Sequence, residues 1–137
     1  MKIKNNNNFV IAGFLILITI TGCDDIISSD VNEEFFIEPG HRAEIRESGL
    51  EITFNKVIED SRCPKGVECV WAGNGKVEVT IHFPGSEDMV QVLNTNLDPK
   101  EIEAGVYRIQ LLELQPYPVE NQEILSEQYR IKLVVKK

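Results

Sequence analysis

Apolar and polar residues alternate with a period of two along most of this chain, the pattern of half-buried β-strands and not of helices. The clearest run is Val77, Val79, Ile81 and Phe83, interleaved with Lys76, Glu78, Thr80 and His82. Upstream, Phe35 to Ile37 opens a first strand, stopped by the Pro39-Gly40 turn pair. Ala43 and Ile45 alternate with Arg42, Glu44 and Arg46 in a second. After Ser48-Gly49, the positions Leu50, Ile52, Phe54 and Val57-Ile58 mark a longer third. Downstream, Met89 to Leu93, Val106 to Leu114, and Tyr129 with Ile131, Leu133 and Val135 supply three more, the middle one broken by Pro116 and Pro118. Asn74-Gly75 predicts a tight hairpin turn. Asp98-Pro99-Lys100-Glu101 predicts a helix N-cap, limited to one turn by Gly105. About seven short strands separated by turns predict an all-β domain over residues 33–137, a small antiparallel β-sandwich.

The first 22 residues follow a different pattern. Lys2 and Lys4 precede four asparagines, then Phe9 to Ile20 is almost wholly apolar, and Thr21 and Gly22 are small. This is the charged, apolar, small-residue order of a secretory signal. The apolar core falls well short of the roughly 20 residues a spanning helix needs. Ile20-Thr21-Gly22-Cys23 resembles the lipobox of bacterial lipoprotein signal peptides. That resemblance implies removal of residues 1–22 and a lipid-modified Cys23, with diacylglycerol on sulfur and a fatty acyl group such as palmitate on the new amine. Two or more chains anchor stably where one binds only reversibly. An unlipidated signal peptide, an uncleaved anchor or a buried core helix are the alternatives. Residues 23–32, acidic and polar, read as a flexible tether between lipid and domain. The expected location is the bacterial cell envelope. Early acids after the cysteine mark inner-membrane retention in some bacteria and accompany surface export in others; the outer membrane is the favoured expectation.

Charge narrows the partners. The whole chain carries −8; losing residues 1–22 removes Lys2 and Lys4 and no acid, leaving 12 basic against 22 acidic residues, or −10. So acidic a surface argues against nucleic acid and against electrostatic docking on anionic lipid. Giving Cys23 to lipid leaves Cys63 and Cys69 as an even pair, and an oxidising compartment makes a disulfide the default. The enclosed loop is short, so its stabilisation is on the order of 2 kcal/mol. A metal site would need closer cysteine spacing and further ligands. The chain has only His41 and His82, both expected in strands. Neither a metal nor any other cofactor is expected.

The distinctive stretch is Asp60-Ser61-Arg62-Cys63-Pro64-Lys65-Gly66-Val67-Glu68-Cys69-Val70-Trp71-Ala72-Gly73. With Leu114-Gln115-Pro116-Tyr117-Pro118 near the end, it resembles a recurring motif of small exported lipoproteins from Bacteroidetes-like organisms. The resemblance implies a small β-rich domain and carries over no catalytic residue. Pro64 disfavours helix at Cys63, and Gly66 supplies a turn. Two readings follow. In one, the stapled loop is a core plug, with the Trp71 ring laid against the disulfide and Asp60 paired to Arg62. In the other it is a rigid displayed loop, with Arg62 and Lys65 as exposed contacts beside Trp71.

No Gly-x-Ser-x-Gly elbow appears, and two histidines leave little room for a nucleophile with its base. Acids are so frequent that no carboxylate pair stands out. Glu59-Asp60 lacks the regular oxygen spacing of a calcium loop. The expectation is therefore a membrane-anchored, non-enzymatic binding module, with an envelope protein or a glycan as partner. A small envelope hydrolase or a peptidase-inhibitor-like domain is the alternative.

Overall fold

Among the described residues nine strands form, seven where the sequence analysis places them and two, at Ile26–Ser29 and Glu101–Ala104, where it does not. The computed structural model describes residues 26–137; the signal-like segment and Cys23 lie outside the described residues. The strands are β1 (Ile26–Ser29), β2 (Glu34–Ile37), β3 (Arg42–Ile45), β4 (Leu50–Asp60), β5 (Gly75–His82), β6 (Met89–Asn94), β7 (Glu101–Ala104), β8 (Tyr107–Gln115) and β9 (Arg130–Lys136). They make two sheets, ordered β1-β3-β4-β5-β6 and β2-β9-β8-β7. Every pairing is antiparallel except β1 with β3. The only helical element among the described residues is a single 3-10 turn, Ser126–Gln128.

The period-two positions build the core from both sheets. Leu50, Ile52, Phe54, Val77, Val79 and Ile81 come from one, and Phe35, Ile37, Ile109, Ile131, Leu133 and Val135 from the other. The core cluster runs from Phe35 to Val135, so a chain lacking residues 1–22 retains it whole. Leu111 and Leu114 are both buried although three apart, an odd spacing that would put one on each face of a regular strand. A register shift between Leu111 and Glu113 resolves this by inserting one unpaired residue. Two similar shifts in β4, after Phe54 and after Val57, change its phase so that Val57 and not Lys56 turns towards the core.

Four expectations are corrected. Ile26–Ser29, read as tether, form β1: Ile27 packs on the core and Ser29 is buried. β3 would otherwise present an unpaired edge, and β1 covers it. Arg46 then clamps Asp30 with its Nε 2.6 Å from Oδ1. Asp98 to Glu101 caps no helix. Glu101–Ala104 instead pairs with β8, because Ile102 and Ala104 gain burial against the core in an extended strand that one helical turn could not give them. Asn74-Gly75 is no tight turn either, for reasons given below. His82 lies in β5 as expected, whereas His41, expected in a strand, immediately precedes β3.

The register fixes which ends lie together. Ile26 stands level with Arg42, and Arg42 with Thr53. Followed from Thr53, β4 runs to Asp60, where Gly75 of β5 pairs beside it. The start of β1 therefore points towards the end of the sandwich that carries residues 61–74. The end of β8 and the start of β9 lie at that end too, since Gln115 pairs with Arg130 and Arg62 reaches the Leu114 carbonyl.

Candidate functional site

The stapled segment continues the β4–β5 hairpin beyond its last paired residues. Ser61 donates its N–H to the Asn74 carbonyl at 2.8 Å, and Cys63 to Ala72 at 2.8 Å. Cys63 and Cys69 are disulfide-bonded, with Cα atoms 6.0 Å apart. Two features close the neck. Gly73 has φ +70°, and a Cβ there would lie 1.8 Å from the Ser61 carbonyl oxygen, so only glycine fits. The second is Arg62.

The displayed-loop reading makes Arg62 an exposed contact, but Arg62 is buried at 6 % exposure. Its Nε and Nη2 donate to the two Asp60 carboxylate oxygens at 2.7 and 2.6 Å. Nη1 donates to the Leu114 carbonyl, and Nη2 also reaches the Pro116 carbonyl at 2.9 Å. The guanidinium carbon lies 5.3 Å from the centre of the Tyr117 ring. The ion pair foreseen between Asp60 and Arg62 is thus present, and it does the bracing that the aromatic ring was expected to do. A planar fork with five donors suits this task, binding a carboxylate and two carbonyls at once. Tyr129 completes the bracket, its hydroxyl donating to Asp60 Oδ2 at 3.1 Å. Burial pushes the Asp60 carboxyl up, but Arg62 and Tyr129 outweigh it and hold it below the ordinary carboxylate value. Burial, then the Asp60 charge, raises Tyr129.

On its other side the neck is held by amides. Asn74, buried, donates to Asn94 Oδ1 at 2.8 Å and accepts the Asn96 N–H at 3.1 Å. Asn96 returns a bond to the Gly73 carbonyl at 2.6 Å. This pairing of side chains, not a hairpin turn, is what Asn74 serves. Gly75 has no positive φ; a Cβ on it would come within 2.7 Å of Leu114 Cδ2.

Lys65, exposed as expected, docks the far side of the loop through its backbone. Its N–H bonds to Pro118 O at 2.9 Å and its carbonyl accepts the Glu120 N–H. Its ammonium lies 5.6 Å from the Tyr117 ring centre. The Lys65 side chain remains on the surface; of the three loop residues singled out in the sequence, Arg62 is the one withdrawn.

Trp71 does not lie against the core. It is 79 % exposed, and its neighbour Val70 is 92 % exposed. The core-plug role expected for its ring is therefore corrected: the plug is Arg62. Trp71 instead lines a groove of ≈ 410 Å³ together with Leu97, with Glu59, Lys76 and Asn96 among its polar lining. Val70, Val67 and Leu97 escaped the sequence reading. The visible signal was two adjacent apolar residues, Val70-Trp71, inside a turn-rich stretch with no alternation to bury them.

The histidines are accounted for locally. His82 Nδ1 lies 2.6 Å from exposed Asp88, and His41 Nδ1 lies 3.2 Å from the Pro39 carbonyl. Among the described residues no three His, Cys, Asp or Glu side chains gather as a metal set, and no helix is long and apolar enough to cross a membrane. No protein-family model, curated protein or solved structure matches this chain.

Proposed function

We propose that this protein is a lipid-anchored, non-enzymatic contact module of the bacterial envelope, and that the tip of its stapled loop is the contact organ. The observation that carries the reading is Trp71, almost fully solvent-exposed on a loop braced by a disulfide, a buried Arg62–Asp60 pair and a glycine neck. Leaving a large aromatic in water forgoes the burial that the fold offers elsewhere. A braced loop loses little conformational freedom on binding, so such a residue is a low-cost anchor for association. Support for a non-enzymatic role comes from the bonding of the chemistry-bearing groups. Asp60 is engaged by Arg62 and Tyr129, Arg62 by Asp60 and two carbonyls, and both histidines have local partners.

The test is co-sedimentation of a soluble fragment beginning at Asp24 with native envelope fragments, beside Trp71→Ala. Binding that falls at least several-fold in the variant supports the loop tip as the contact. Equal binding by both forms would remove it from that role.

A further inference from the structure

We infer that the surface met by this loop is the lipid bilayer itself: the Trp71 tip inserts into the interface of the same membrane that holds Cys23. This names the partner of the contact organ proposed above, and it rests on the lipid-anchor reading of Cys23. Geometry leads to it. Cys23 precedes Ile26 by three residues, a leash of at most about 10 Å when fully extended. Ile26 stands level with Thr53 of β4. From Thr53, β4 continues seven residues to Asp60 in the direction from which β1 is entered. That is a further projection of about 20 Å, before the stapled loop begins. The two strands are separated only by β3, so they lie about 10 Å apart. The leash is shorter than the projection. With β1 entered along its own direction, a leash this short brings the loop down to the bilayer.

The distribution of exposed apolar side chains agrees. Of twelve large exposed hydrophobics among the described residues, eight lie on segments at this end, whereas Ile26, Val90, Val106 and Leu112 lie elsewhere. Trp71, Val70, Val67, Leu97, Tyr117 and Val119 form the centre of the group. Tryptophan and tyrosine are the residues that settle at the membrane–water boundary, with an apolar body and a polar tip. The net charge of the chain is negative, so uncharged, zwitterionic headgroups suit this face better than anionic ones.

The test uses two features of the chain. Trp71 is the sole tryptophan, and with Cys63 and Cys69 oxidised Cys23 is the sole free thiol. Protein beginning at Cys23 is coupled through that thiol to a maleimide lipid in phosphatidylcholine vesicles. The expected result is a shift of tryptophan emission to shorter wavelength on coupling, with quenching by lipids brominated in their acyl chains. Emission identical to that of the uncoupled domain, with no quenching, would overturn the inference. If emission stays unmoved on lipid while Trp71→Ala still abolishes binding to native envelope, the bilayer is overturned as the occupant. The contact organ then stands, with a protein or glycan on it.

Discussion

Arg62 joins Asp60, two residues behind it, to the carbonyl of Leu114, fifty-two residues ahead, through one guanidinium. The link ties the neck of the stapled loop to the other sheet. Both partners are largely withdrawn from water, with side chains 4 % and 9 % exposed. Removing Arg62 alone would strand a carboxylate and two carbonyls. Arg62→Met is expected to cost about 3 kcal/mol, which lowers Tm on the order of 10 °C or more in a domain of this size. Thermal denaturation followed by circular dichroism checks it. A Tm within 2 °C of the parent, where about 1 kcal/mol moves Tm by several degrees, would mean the bracket holds nothing.

The same pair sets a pH dependence. Folding lowers the Asp60 pKa, so its contribution is full above the ordinary carboxylate value and is lost as pH falls through the depressed folded value. Folding raises Tyr129, so its contribution is full below the ordinary phenol value and is lost as pH rises through the raised one. Stability should therefore decline in acid below about pH 4, and Asp60→Asn should flatten that limb while lowering the plateau. Urea midpoints measured from pH 2 to 7 for both forms provide the comparison; parallel acid limbs would exclude Asp60 as a source.

Gly73 and Gly40 form a matched contrast. Both have positive φ, but a Cβ at Gly40 meets nothing within 4 Å, whereas at Gly73 it would collide with the Ser61 carbonyl. Gly40→Ala is expected to cost about 1 kcal/mol from backbone conformation alone. Gly73→Ala should cost clearly more and disturb the amide signals of residues 61–74 in a nitrogen–proton correlation spectrum. Equal costs would show that the neck is slack.

Much of this architecture was legible in the sequence. Period two located β2 to β6, β8 and β9, because half-buried strands write their exposure directly into residue type. What stayed hidden depends on contacts remote in sequence. Ile26-Ile27-Ser28-Ser29 has no alternation of its own and becomes a strand only because β3 offers an edge. Asn74-Gly75 carries a local turn signal that is overridden by amides at 94 and 96. Arg62 reads as a surface residue by charge, and its carbonyl partners at 114 and 116 cannot be seen from its own neighbourhood. For Trp71, size argues for burial; the neck that turns it outward is set by Gly73 and Arg62 acting together.

The disulfide shapes the loop and leaves the core untouched, since no core residue lies between Cys63 and Cys69. Changing both cysteines to serine should cost about 2 kcal/mol while the domain stays folded. Trp71→Ala should be nearly silent for stability, within about 0.5 kcal/mol. Chemical denaturation of the two variants side by side measures both; a large loss in Trp71→Ala would restore the ring to a packing role.

The most direct measurement of the central claim is collisional quenching of the lone tryptophan by acrylamide, in the free domain and with native envelope fragments. If the loop tip is the contact organ, Trp71 is freely quenched in solution and shielded once envelope is added. Quenching that is the same in both, under conditions where the domain demonstrably binds, would contradict the account.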